Sequence, residues 1–226
     1  MQASLKKERL KILERLKIID TEPEKMFDDI TKIAAQVCDV PIALITFVGD
    51  KKQFFKSKYG LNISETPIEH SFCAVAIASG SDTFCVSNTK TDPRFSKNPF
   101  VTGEPHIASY NAVTLKSESG TPVGTLCVIN DKESELSEVQ FNTLQLLANQ
   151  VTKLLELRQA NSLLTDYNNK EQMYIERIEE FASMAAHDLK SPLRNVKSFI
   201  ELIKKRHHDL WDDKDSKYLG FIDQSV

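Results

Sequence analysis

At 226 residues, 41% of them hydrophobic and 27% charged, the chain is long enough for one medium domain and a smaller element, and its composition is ordinary for a globular protein. A net charge of −3 gives no electrostatic footing for nucleic acid or an anionic membrane surface, and no apolar run approaches the roughly 18 residues that a bilayer-spanning helix needs. The first eight residues lack the apolar core of a signal peptide, and Cys38, Cys73, Cys85 and Cys127 lack CxxC spacing, so they read as reduced, mostly buried thiols of a cytoplasmic protein.

In chain order, Leu5, Ile12, Leu13, Leu16 and Ile19 recur at helical spacing and predict a first helix. Thr21-Glu-Pro-Glu24 has capping-box spacing, and Phe27, Ile30, Ala34 and Val37 mark the second helix that it opens. Asp39-Val-Pro41 stops that helix. Pro41–Val48 is β-rich and nearly all apolar, the pattern of a central strand covered on both faces, and Gly49-Asp50 turns it into Gln53–Tyr59. Pro67–Ser79 reads as a helix carrying Ser71-Phe72-Cys73, and Thr83–Ser87 as a short strand. Asn88–Pro105, with three prolines, has the length of a functional lid or binding loop. Ile107–Lys116 and Thr121–Asn130 form a second hairpin. Helices interleaved with antiparallel hairpins give an α+β domain ending near Asp131.

Leu136-Ser137-Glu-Val-Gln140-Phe141 is a complete helix start, with Ser137 and Gln140 as capping box and Leu136 and Phe141 as hydrophobic staple. No glycine or proline follows until Pro192, which predicts a helix of more than fifty residues, too long to stand without a partner. Leu144, Leu147, Val151 and Leu154 run at 3,4 spacing. A second series runs through Leu157, Ala160, Leu164, Tyr167, Glu171, Tyr174, Ile178, Phe181 and Ala185. The two meet in consecutive threes, so the seam slips near Arg158, and such a slip changes coiled-coil winding. Phe141–Leu155 is expected to pack on its own domain. The polar fill beyond Arg158 fits a parallel coiled coil between two copies of the chain, a homodimer.

Measured from His187 at roughly 100° per residue, Phe181, Ala185, Leu189, Leu193, Val196 and Ile200 lie on the far side of the helix, while Glu180, Ser183, Ser191 and Arg194 share its face. His187 is displayed opposite the seam, as an ordinary surface histidine also is. Pro192 gives no N–H to the carbonyl of Asp188 and weakens the turn above it. Lys204–Ser216 is polar, like the tip of a helical hairpin, and Tyr218–Ile222 begins a return helix. His207 and His208 face apart and have no matching Cys or His pair, so no metal is expected.

Ile18-Ile-Asp-Thr-Glu-Pro-Glu24, Phe27-Asp-Asp-Ile-Thr31, Cys38-Asp-Val-Pro-Ile-Ala-Leu-Ile45, Ser71-Phe-Cys73, Asp92-Pro-Arg-Phe95 and Gly124-Thr-Leu-Cys-Val-Ile-Asn130 resemble a common bacterial GAF subfamily, almost continuously over about residues 5–158. The resemblance implies an antiparallel sheet with helices on one face and a small-molecule pocket on the other. It places Phe55, Phe72, Cys73, Phe95 and Tyr110 near that pocket, with core packing as the plainer role open to each. No motif names the ligand. Bilin-attaching relatives typically carry histidine after their cysteine, whereas Ala74 follows Cys73. GAF enzymes that reduce free methionine sulfoxide use pocket cysteines, which makes a thiol redox enzyme on Cys73 and Cys85 a remote reading, although the surroundings of both differ from that enzyme's motifs.

Phe181-x5-His187-Asp188-Leu-x-x-Pro192-Leu193 resembles the H-box of sensor histidine kinases. The resemblance implies that His187 is the phosphoacceptor and that Asp188 assists it as acid/base. The expected organisation is a GAF sensor over residues 1–155, a coiled-coil signalling helix over 156–176 and part of a HisKA dimerisation and phosphoacceptor domain over 177–226. The family's ATP-binding domain, with its Asn and Gly boxes, has no counterpart in these residues, and no GxGxxG or GxxxxGK[ST] cradle is present. ATP and Mg²⁺ are therefore expected on a catalytic domain supplied in cis or in trans, and a response regulator receiver domain as the phosphate's destination. The alternative is a small-molecule-binding and dimerisation module without phosphotransfer.

Overall fold

In the computed structural model, which describes residues 2–206, 214–215, 217–218 and 220–221, the first two apolar stripes are helices α1 (Gln2–Leu16) and α2 (Lys25–Cys38). Phe27, Ile30, Ala34 and Cys38 give α2 its buried stripe, and Asp39 ends it in the left-handed conformation at φ 53°. The start of α2 departs from the capping-box reading. Glu24 holds the N-cap position without a side-chain bond to the helix, and the Thr21 hydroxyl donates to the Ile18 carbonyl at 2.9 Å. Both side chains are drawn instead to the buried ammonium of Lys56, which costs more to leave unmatched than an exposed helix N–H does.

The strands are β1 (Ile42–Val48), β2 (Lys52–Tyr59), β3 (Glu65–Pro67), β4 (Thr83–Val86), β5 (Ser109–Lys116) and β6 (Pro122–Asn130), in the spatial order β3-β2-β1-β6-β5-β4 with antiparallel neighbours. Pro67–Ser79 is not one helix. Pro67 closes β3, Ile68–His70 make a single 3₁₀ turn, and Ser71 caps α3 (Phe72–Ala78) by accepting the Ala74 N–H at 2.9 Å. The long loop after β4 carries one turn of helix, α4 (Pro99–Thr102), capped by Asn98.

Period-two alternation divides the sheet's two faces. Ala43, Ile45 and Phe47 of β1, with Leu126 and Val128 of β6, pack under α1, α2 and the first turns of α5 (Glu138–Arg206). Ile42, Leu44 and Val48, with Cys127 and Ile129, face α3 and the long loop. In β2 the pairing with β1 skips one residue: Phe55 lies opposite Thr46 and Ser57 opposite Ile45, which makes Lys56 a β-bulge. The bulge keeps Gln53 and Phe55 on the α3 face and delivers Lys56 and Ser57 to the α2 face, where Ser57 Oγ bonds Thr31 and Asp28.

The start of α5 carries the expected capping box: Gln140 N–H donates to Ser137 Oγ at 3.3 Å, and Ser137 N–H to Gln140 Oε1 at 3.0 Å. Its packed stripe is Leu144, Ala148, Val151 and Leu155, one position off the expected Leu147 and Leu154, which flank it. The chain divides into units Met1–Leu163 and Leu164–Val226. In the second unit α5 runs on through Pro192, and Leu164, Tyr167, Tyr174, Ile178 and Phe181 are each 60–70% exposed. Of the expected hairpin tip, 204–216, residues 204–206 continue α5, whereas 207–213, with His207 and His208, and 216 lie outside the described residues, as do 219 and 222–226 of the expected return helix. No helix among the described residues is long and apolar enough to cross a membrane.

Gly124 sets the spacing of β6 against β1. A Cβ there would sit 1.9 Å from the Thr46 carbonyl oxygen. Gly124→Ala is expected to lower stability in urea denaturation by more than about 2 kcal/mol, because backbone must move to admit the methyl. An unchanged midpoint would contradict this account of the strand contact.

Candidate functional site

On the α3 face, five polar side chains meet inside an otherwise apolar layer. Cys73 Sγ lies 3.0 Å from Thr46 Oγ1 of β1, 3.2 Å from Gln53 Nε2 of β2, 3.1 Å from the Tyr110 hydroxyl of β5 and 2.9 Å from Thr125 Oγ1 of β6. The direction of one bond follows from its neighbours. Ser71 Oγ already accepts the Ala74 N–H, so its own hydrogen goes to Gln53 Oε1, which turns the amide nitrogen toward the sulfur. Burial pushes the Cys73 thiol up, but the bonds from Cys127, Thr125, Thr46 and Tyr110 outweigh it and bring it down to about 6. Burial, with charge on Cys73 nearby, pushes Cys127 and Tyr110 well up. The cluster thus favours negative charge on one sulfur and keeps its neighbours protonated as donors.

Cys73 and Tyr110 border a cavity of about 40 Å³, together with Phe55, Phe72, Gln53, Thr66, His70 and Cys127. Four of the five side chains expected at a pocket line this one, and Phe95 does not. Phe95 lies behind it, stacked on Phe72 at 4.2 Å between ring centroids and 4° between planes. Arg94, paired with Asp92, covers Phe84 at 4.7 Å and Phe95 at 5.4 Å. The Asp-Pro-Arg-Phe run therefore supports the pocket wall and does not touch the cavity. Gln53, Thr46 and Thr125 escaped the sequence reading. Thr46 and Thr125 left only the trace of a polar residue inside an apolar run, and Gln53, next to Lys52, left none. Cys127, not Cys85, is the thiol beside Cys73; Cys85 is exposed on the edge strand β4.

On the opposite face a second polar network reaches α5. Lys56, its side chain fully buried, donates to Thr21 Oγ1 and the Glu22 carbonyl at 2.7 Å and pairs with Glu24 at 2.7 Å. Glu24 also takes Arg158 Nη1 at 2.6 Å, and the rest of that guanidinium bonds the Leu16 and Lys17 carbonyls at 2.7 and 2.9 Å. Arg158 thereby ties α5 to the end of α1 and, through Glu24, to the bulge in β2. It stands where the sequence places the slip in the seam.

His187 and Asp188 lie far along α5, with side chains 85% and 82% exposed and Nδ1 3.2 Å from Oδ1. That contact occupies Nδ1 and leaves Nε2 directed away from the carboxylate.

The sheet thus carries helices α1, α2 and α5 on one face and, on the other, a cavity beneath a short helix and a long loop. The chain belongs to the GAF domain family, whose model matches residues 22–155. Over 118 residues it is 37% identical to a cyclic di-GMP phosphodiesterase of Pseudomonas aeruginosa; the match takes in 52% of this chain and only a fifth (20%) of that relative. The GAF domain of a phosphoenolpyruvate-protein phosphotransferase from Coxiella burnetii shares the fold at TM-score 0.53 and 12% identity, over 69% of this chain and 96% of that one. The corresponding domain from Acinetobacter matches at TM-score 0.50 and 15% identity, over 69% and 96%.

Burial pushes the Glu24 carboxyl up, but Lys56 and Arg158 outweigh it, so it titrates below its ordinary value of 4.5. A carboxylate lowered by folding stabilises the fold above its unfolded value and stops doing so as pH falls through the folded one. Glu24→Gln is therefore expected to cost stability to urea at pH 7, by about 1–3 kcal/mol. The gap to wild type should close below the glutamate's ordinary range. A gap that persists into acid would contradict the ion-pair account.

Proposed function

We propose that this chain is the sensory and phosphoacceptor part of a two-component histidine kinase. The GAF domain senses a small molecule and controls phosphorylation of His187, which passes the phosphoryl group to a response regulator receiver domain. One observation carries the reading: a single helix starts packed on the GAF sheet, is pinned there by Arg158, and runs on to an exposed His–Asp pair within the H-box pattern. With Asp188 holding Nδ1–H, the Nε2 lone pair attacks the γ-phosphorus of ATP. A P–N bond forms, the P–O bond to ADP breaks, and ADP leaves. ATP and Mg²⁺ are held by an ATP-binding domain in cis or in trans. The exposed row Leu164, Tyr167, Tyr174, Ile178 and Phe181 is the seam for a second copy of the chain, since so long a helix needs a partner.

A second reading keeps the GAF domain as a ligand-binding and dimerisation module without phosphotransfer. The relation to a cyclic di-GMP phosphodiesterase favours it, because there a similar segment belongs to a protein with a different output.

Incubating the chain with a purified histidine kinase ATP-binding domain and γ-labelled ATP separates the two. Acid-labile label is expected on wild type, none on His187→Ala, and at least about tenfold less on Asp188→Asn. Wild type that stays unlabelled would leave the module reading.

A further inference from the structure

We propose that Cys73 is a site of oxidation by hydrogen peroxide and that Cys127 resolves it, which gives the cavity face of the GAF domain a reversible disulfide switch. The proposal does not depend on His187. It rests first on geometry: side chains from four adjacent strands converge on one sulfur, and one of them, Gln53, is oriented by a relay from Ser71 to present its N–H. Packing alone does not call for this. An apolar residue at 73 among apolar neighbours would fill the same layer without burying four hydrogen-bonding groups. Convergent donors stabilise a thiolate, and the downward shift of Cys73 despite burial agrees with that role.

The second observation is the neighbouring thiol. Cys127, two residues along β6 from Thr125, lies on the same face of the sheet and packs in the same cluster as Cys73. Both cysteines border the cavity, whose volume of about 40 Å³ suits an oxidant scarcely larger than water.

The chemistry closes on these atoms. The Cys73 thiolate attacks one peroxide oxygen; an S–O bond forms, the O–O bond breaks, and hydroxide leaves, taking a proton to become water. Cys127 then attacks the sulfur of the Cys73 sulfenic acid. An S–S bond forms, the S–O bond breaks, and the second oxygen departs as water with the Cys127 proton. Two thiols lose two electrons and one peroxide gains them. A dithiol returns the pair to the reduced state. The disulfide links α3 to β6 across the pocket floor, where a bound ligand would lie.

The test uses the exposed thiol Cys85 as an internal reference. The intact chain is treated with about one equivalent of hydrogen peroxide, quenched with an alkylating agent and mapped by tandem mass spectrometry. Cys73 is expected to be lost at least about tenfold faster than Cys85, despite its burial. Cys127 should disappear with it as a Cys73–Cys127 disulfide that dithiothreitol reverses. In Cys127→Ser the oxidation should stop at a dimedone-reactive sulfenic acid on Cys73. Oxidation of Cys85 ahead of Cys73, or loss of Cys73 in wild type while Cys127 stays free, would overturn the proposal. The first comparison is made within the wild-type chain, so it stands whether or not a variant folds.

Discussion

The buried ammonium of Lys56 is the constraint around which the helical face is arranged. A lysine sealed in a protein interior is costly unless matched, and three acceptors from the α1–α2 connection surround this one. Meeting that demand withdraws Thr21 and Glu24 from helix capping, fixes the connection against the sheet, and makes one Glu24 oxygen the shared partner of Lys56 and Arg158. The bulge in β2 puts Lys56 and Ser57 on this side together.

The same bulge keeps Gln53 and Phe55 on the other face, where the polar demand is of another kind. There a sulfur is the common acceptor and the donors are uncharged. The sheet therefore carries two buried polar clusters, one on each side, and β2 supplies Gln53 to one and Lys56 to the other. The Lys56–Glu24–Arg158 chain on one face and the Cys73 cluster on the other thus share a strand.

Much of this was legible in the amino-acid order because it is local. The apolar run of β1, the two hairpins, the Ser137–Gln140 box and the α2 stripe, in which Cys38 takes the buried place expected of Val37, are all set by residues within a few positions of one another. Most of the failures share one cause, a tertiary partner that local spacing cannot reveal. Thr21 and Glu24 have the spacing of a capping box and serve a lysine more than thirty residues on. Pro67–Ser79 has a helical composition, yet Ser71 interrupts it as a cap. Phe95 sits in a motif that reads as pocket-lining and stands one layer back, because Phe72 occupies the place in front. Cys73 drew notice, but its partners Thr46, Thr125 and Cys127 emerge only once β1 and β6 are set in register.

The central claim is that the anchored start of α5 governs His187 further along the same helix. One residue inserted directly after Arg158 rotates everything beyond it by roughly 100° relative to the GAF unit while leaving the Arg158 contacts in place. The decisive measurement is the initial rate of His187 phosphorylation by an added ATP-binding domain, compared between this insertion and wild type. The account predicts label on His187 in both, at rates differing by more than about threefold. Equal rates, with the GAF unit folded in each, would contradict it.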